Sequence, residues 1–207
     1  MSNPIADLKK AINQAKGYIK VTGLNEIARR YFVMNAFDGA LTMLGILVGA
    51  YLSGNPQVNL IVSAGMGASI AMGVSGISGA YMTEKAERIK KLKTLERSML
   101  IDLDQTIHGR ASKFASVYTA LIDGLSPALA SVIILSPFLA VKLIGISIES
   151  AFQASVLITA SVLFLLGTYL AKISDENMMK YGVQMLMVGV ITGVTIIMFE
   201  YAIMPAH

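Results

Sequence analysis

The 207-residue sequence contains no cysteine and no tryptophan, and only two histidines, His108 and His207. Without cysteine there is no disulfide scaffold, zinc ribbon, iron–sulfur cluster or thiol nucleophile. Two histidines cannot build a histidine-rich metal site within one chain. Charge is also scarce. Asp, Glu, Lys and Arg make up 14% of the residues and hydrophobic residues 55%, whereas soluble domains run near 25% charged. With a mean hydropathy of +0.64, the composition excludes a disordered chain, a nucleic-acid-binding arm and an ordinary soluble enzyme. What remains is an all-α integral membrane protein built as one compact bundle.

A helix crossing a hydrocarbon core about 30 Å thick needs about 20 mostly apolar residues. Five stretches qualify. They run from about Tyr31 to Ser53, Val58 to Met82, Phe114 to Val141, Ile148 to Ala171 and Tyr181 to Met204. Gly54-Asn55-Pro56 is a turn between the first two. Lys142 to Gly145 forms a short joint after Pro137. Lys172 to Lys180, with Ser174, Asp175, Glu176 and Asn177, reads as a polar turn and a helix start.

Lysine and arginine alternate by side. Six precede the first span: Lys9, Lys10, Lys16, Lys20, Arg29 and Arg30. Eight follow the second: Lys85, Arg88, Lys90, Lys91, Lys93, Arg97, Arg110 and Lys113. Lys172 and Lys180 lie on the same side, and only Lys142 on the other. The positive-inside rule then puts the N-terminus in the cytoplasm and the C-terminus outside. The net charge of +4 is an orientation signal and not a nucleic-acid signal.

The chain divides into a cytoplasmic N-terminal helix (1–30), a first hairpin (31–82), a cytoplasmic helical segment (83–113), a second hairpin (114–172) and a fifth helix (180–204), all within a single membrane domain. No cleavable signal peptide is evident in the first 30 residues, which lack a continuous apolar core. Ile5, Leu8, Ile12, Ala15 and Ile19 recur there at helical spacing, with Lys9, Lys10, Lys16 and Lys20 elsewhere on the wheel. Such an amphipathic helix either lies among lipid headgroups or packs on the protein's own cytoplasmic part. From Thr83 to about Leu103 there is no Gly or Pro, so the second span is expected to continue as a long helix. Its stripe of Ile89, Leu92, Leu95, Met99 and Leu103 is expected to bury against another helix.

A weak internal repeat is visible. Phe37-Asp38-Gly39 in the first span matches Ile122-Asp123-Gly124 in the third. Gly79-Ala80-Tyr81 ends the second span as Gly167-Thr168-Tyr169 ends the fourth. Transporters are often built from repeats, with the site at the repeat interface.

Ionisable groups inside a membrane are expensive and mark functional sites by default. Asp38 lies about 10 Å into the first span by helical rise, and Asp123 lies within the third. Neither has a Lys or Arg partner within its own span, so each calls for a proton, a cation or a polar neighbour. The alternative for Asp38 is a hydrogen bond to a neighbouring helix. There are 13 methionines. Met34 and Met43 flank Asp38, and Met72 sits in the second span. Thioethers suit softer or borderline metals and carboxylates harder ones, so the combination favours ferrous iron or manganese over calcium. The bland reading of any one Met is an adaptable core filler.

Glu84 and Glu87 lie just below the second span, with Glu96, Asp102 and Asp104 beyond. Asp104 and His108 share a helix face by spacing, although a solvated face explains these charges as well. Glu149 and Glu200 fall near the outer surface. The second span is rich in small residues from Gly65 to Gly79. Gly45-x-x-x-Gly49 and Gly189-x-x-x-Gly193 mark further close helix contacts. No nucleotide-binding loop, nucleophile elbow or zinc-protease motif is present, so no enzyme is expected.

Asn35-Ala36-Phe37-Asp38-Gly39-Ala40-Leu41-Thr42 resembles the first-span motif of the vacuolar iron transporter family, the CCC-type ferrous iron and manganese transporters. Ser63-Ala64-Gly65 through Gly79-Ala80-Tyr81 is similar to that family's small-residue second span. Asp123 through Pro137 and the glycine-spaced fifth span are similar in pattern. The resemblance implies a homodimer with a metal path between the first two helices of both subunits. It also implies exchange of divalent metal for protons, away from the cytosol. Asp38 takes the place of the family's translocation carboxylate, and Glu87 that of an acidic position in its cytosolic segment. Three positions depart: a family Met falls at Gly76, a membrane Glu at Ala68, and Ala80 stands where many relatives have Gly or Glu. Met72, one turn from Gly76, offers a substitute thioether.

The leading reading is therefore a transporter of ferrous iron or manganese coupled to protons. Asp38, Met72, Met34, Met43 and Asp123 would line its path, and Asp38, Met72, Glu84 and Glu87 would contact metal. No permanently bound cofactor is expected, because the metal is cargo. The partners expected are the lipid bilayer, divalent metal ions and a second copy of the chain, in a prokaryotic inner membrane. Two alternatives stay open: the same fold carrying another small ion or solute, and a non-transporting membrane scaffold.

Overall fold

The computed structural model describes residues 4–54 and 56–203. Among them there is no strand. Six helices follow one another: α1 (Pro4–Thr22), α2 (Leu24–Leu52), α3 (Val58–Met99), α4 (Ile107–Ile144), α5 (Ile148–Ile173) and α6 (Met178–Ile203). The last five are each long and apolar enough to cross a membrane. The all-helical, five-span expectation therefore holds. Asn55, Met204 and His207 lie outside the described residues, as do the side chains of Ile5, Leu8 and Ile12 in the expected amphipathic stripe.

The helix ends have local causes. Gly23, with φ of +64°, separates α1 from α2, a conformation glycine adopts without steric cost. Ser147 caps α5, its hydroxyl accepting from the Ser150 N–H at 3.1 Å. At the other end of α5, Asp175 takes a left-handed φ of +54°. The Glu176 N–H then donates to the Ala171 carbonyl at 3.0 Å, closing the turn. Asn177 opens α6 by accepting from the N–H groups of Met179 and Lys180 at 2.9 and 3.1 Å.

Three boundaries differ from expectation. α2 begins at Leu24, seven residues before the apolar run at Tyr31, and its first two turns are anchored by the buried Leu24 and Ala28. α4 starts at Ile107 and runs through Pro127 and Pro137 to Ile144, so the joint shortens to 145–147. α3 does extend far beyond the apolar stretch but stops at Met99. Leu100 turns left-handed at φ +54°, and the Glu96 carboxylate accepts the Leu103 N–H at 3.0 Å. The apolar stripe on this extension is not buried as expected. Leu103 is, at 3% exposure, but Ile89, Leu95 and Met99 stand 43%, 40% and 52% exposed. The turn after Leu100 folds only the last of the set back into the protein.

The chain groups into two compact units. One comprises Met1–Phe32 and Val74–Leu125, the other Val33–Gly73 and Ser126–His207. In the first, the Tyr18 ring meets Phe114 at 5.6 Å, and Phe114 stacks on Tyr118 at 5.8 Å. Gly76 of α3 lies against Gly124 of α4 so closely that a Cβ would stand 2.8 Å from the Gly124 Cα. The second unit holds the main apolar core, where Met43, Leu47, Ile61, Ile134, Leu135, Phe138 and Leu163 are almost wholly buried. Here Gly39 of α2 presses on Pro127 of α4, and Gly167 of α5 on Tyr181 and Gly182 of α6. Lipid tails are as apolar as leucine, so such contacts, rather than water exclusion, hold helices together.

This gives a direct test. A Cβ at Gly167 would collide with the Tyr181 carbonyl and lie 2.8 Å from the Gly182 Cα, both backbone atoms that cannot swing aside. Gly167→Ala is expected to cost about 1–3 kcal/mol, read as a lower unfolding midpoint in detergent. Gly193→Ala, in open space on α6, leaves the midpoint unchanged or slightly raised.

Candidate translocation site

α2 has two faces. Val33, Ala36, Ala40, Met43 and Leu47 recur at spacings of three and four and are 0–4% exposed, which is the core-facing stripe of a helix. Met34, Asp38 and Thr42 lie one turn apart on another face and are all exposed. Met34 is 55% exposed. The Thr42 hydroxyl donates to the Asp38 backbone carbonyl at 2.8 Å, which leaves the Asp38 carboxylate uninvolved. Among the described residues that carboxylate has no hydrogen-bond or ion-pair partner. A thioether and a carboxylate one turn apart, open along one side of an apolar helix, form a mixed soft and hard donor pair.

Met43 does not join them. Five residues carry it about 140° around the helix from Asp38, and it is fully buried in the apolar core. Met72 on α3 is half-buried. Asp123 on α4 is 9% exposed, and its Oδ2 lies 3.0 Å from where a Gly76 Cβ would stand. Gly76 is thus a position where a larger side chain would press directly on a membrane carboxylate.

The two glutamates below the second span behave differently. Glu84 pairs with Arg88 at 2.9 Å, both side chains only 12% exposed, and accepts from the Tyr31 hydroxyl at 3.4 Å. Glu87 is exposed and loosely paired with Lys91 at 3.7 Å. Glu84 is thus already engaged by two groups, while Glu87 keeps its ligand capacity. Asp104 pairs with Lys113 at 3.4 Å rather than with His108. Among the described residues no three His, Asp or Glu side chains converge on a metal-sized site.

The second unit also holds a cavity of about 390 Å³, lined by Glu149 and by the Tyr51 and Phe152 rings, which stack at 4.4 Å.

Sequence reasoning passed over Tyr31, Thr42 and Thr119. Thr119 is fully buried, and its hydroxyl has no hydrogen-bond partner among the described residues. It sits one turn before Asp123, so the i, i+4 spacing to an intramembrane carboxylate was the signal available.

Two pairs of substitutions separate packing from site. Met43→Ala is expected to cost about 2–5 kcal/mol of stability through the cavity it leaves, while Met34→Ala stays within about 0.5 kcal/mol. Arg88→Met strands the Glu84 charge and is expected to cost up to about 3 kcal/mol, against about 0–1 kcal/mol for Lys91→Met at an exposed pair. Thermal unfolding in detergent ranks all four.

The sequence pattern of the VIT family matches residues 89–199, a little over half of the chain. That stretch includes Asp123 through Pro137 and most of the glycine-spaced last helix, but not Asp38. An uncharacterized protein of Methanocaldococcus jannaschii is 33% identical over 199 residues, covering 94% of this chain and 96% of that protein. No solved structure matches. The chain belongs to the VIT family, the vacuolar iron transporters its membrane motifs resemble.

Proposed function

We propose that this membrane protein carries a divalent transition metal, ferrous iron or manganese, out of the cytosol in exchange for protons. One observation carries the reading. Asp38 stands exposed on a membrane-crossing helix with no partner for its carboxylate among the described residues. A bare carboxylate facing lipid would be strongly unfavourable. A face of this kind is stable where it lines a polar path, takes up a proton or a metal, or meets another subunit. Met34, one turn away, and Met72 on α3 supply the softer contacts, and Asp123 is a second polar station. Metal transport is the family's activity; to it we add the ion, the direction and the coupling to protons.

Two further features support it. The asymmetry of lysine and arginine favours a cytoplasmic N-terminus, which would put Glu87 at the cytosolic entrance. α3 buries little of itself: Leu60, Ile70 and Val74 are each more than 60% exposed, and Gly67 has open space around it. A helix with small residues left uncovered supports a homodimer closed across α2 and α3.

The test is flux into proteoliposomes holding a metal-quenched dye, with ferrous iron, manganese, zinc and calcium offered in turn, with and without a pH gradient. Gradient-dependent entry of iron or manganese is expected, falling to the level of empty vesicles in Asp38→Asn. Equal flux in wild type and Asp38→Asn removes Asp38 from the path. Silence for every metal, from folded and inserted protein, removes the transport assignment.

A further inference from the structure

The first unit contains an open cleft of about 840 Å³ where α1 passes the start of α4. It has no part in the path proposed above. Lys9 and Arg110 bring two positive charges to it, Asn13 and Gln14 two amides, and Tyr18 and Ile107 an apolar floor. Among the described residues, none that lines it is acidic. Its size is within the range of small-molecule sites, about 300–1,000 Å³.

Arg110 is held in place. Its Nε and Nη2 donate to the Gln105 backbone carbonyl at 3.3 and 3.0 Å. A guanidinium has five N–H donors in a rigid fork, so three remain once these two are made. A fixed fork with spare donors beside a flexible ammonium is suited to a phosphodiester, which spreads its charge over two oxygens.

The level of the cleft selects the source of that phosphate. Ile107 and Arg110 are in the first turn of a membrane-crossing helix. Tyr18, in the floor, meets Phe114, which stacks on Tyr118. Aromatic clusters at the end of an apolar helix sit at headgroup depth. Ile107 is 54% exposed, which leaves apolar surface beside the charges for the upper part of an acyl chain.

We infer that the cleft between α1 and α4 binds the headgroup of an anionic phospholipid, with its phosphate between Lys9 and Arg110 and its chain over Tyr18 and Ile107. The bound lipid would tie α1 to the surface from which α4 enters the bilayer. General attraction of basic segments to anionic leaflets is diffuse; this is a defined site.

Native mass spectrometry of the full chain in neutral detergent tests it, titrating phosphatidylglycerol against phosphatidylcholine. Wild type is expected to prefer phosphatidylglycerol by about tenfold or more, the scale of a charge-assisted hydrogen bond. Lys9→Gln loses most of that preference with an unchanged melt, and Arg110→Gln loses it also. Lys16→Gln/Lys20→Gln, on the same helix but outside the cleft, keeps it within about twofold. Equal binding of the two lipids by wild type overturns the site. Equal loss in the Lys16/Lys20 variant also overturns it, because the attraction is then diffuse. Competition by millimolar glycerophosphate as strong as by the lipid overturns the lipid as occupant and leaves a soluble-anion site.

Discussion

The constraint on which this fold rests is the absence of water from the bilayer core. Every backbone N–H and C=O there must find its partner inside the protein. Five long helices meet that demand within themselves, which is why six helices account for almost all the described residues. It also removes the usual force for packing helices together, since burying leucine gains little when the alternative is lipid. What remains is fit. Backbone approaches at Gly39 on Pro127, Gly76 on Gly124 and Gly167 on Gly182 hold the helices at distances a single added methyl would disturb.

Polarity is then rationed by position. Outside the apolar stretches some of the charges answer one another, as in Glu84 with Arg88 and Asp104 with Lys113. Inside them the hydroxyls mostly return to their own helix, as Thr159 does to the Ser155 carbonyl and Ser131 to that of Pro127. Back-bonding of this kind satisfies a hydroxyl without needing a neighbour. Asp38 cannot do this, because a carboxylate has no hydrogen to give. The same reasoning that makes the serines structurally quiet makes that aspartate conspicuous.

The number and order of helices could be read from the sequence because length and apolarity are local properties. The polar turn and helix start that include Asn177 were legible for the same reason; the cap at Ser147 was not singled out. The start of α4 was harder to read, because it begins at Ile107, ahead of the apolar run at Phe114; its course through both prolines was read as one span. Proline signals a break in water-soluble helices, but Pro127 and Pro137 lie inside one continuous helix, as neighbours in a membrane bundle permit. The stop at Met99 was hidden because no glycine marks it; side-chain acceptance by Glu96 and a left-handed Leu100 do the work instead. At the candidate site, spacing separated Met34 from Met43 only once the buried face of α2 was known. A Met four residues from an aspartate and one five residues away look alike in a string, yet the first is exposed and the second fills the core. The engagement of Glu84 by Tyr31, 53 positions away, had no sequence signal at all.

The prolines within α4 have a mechanical consequence. A proline has no N–H to return to the carbonyl four residues earlier, so the regular backbone ladder of α4 is interrupted at Pro127 and at Pro137. Helices bend most readily at such positions. The Gly39 backbone rests directly on Pro127, so the turn of α2 that carries Asp38 is packed against a turn of α4 whose backbone ladder is interrupted.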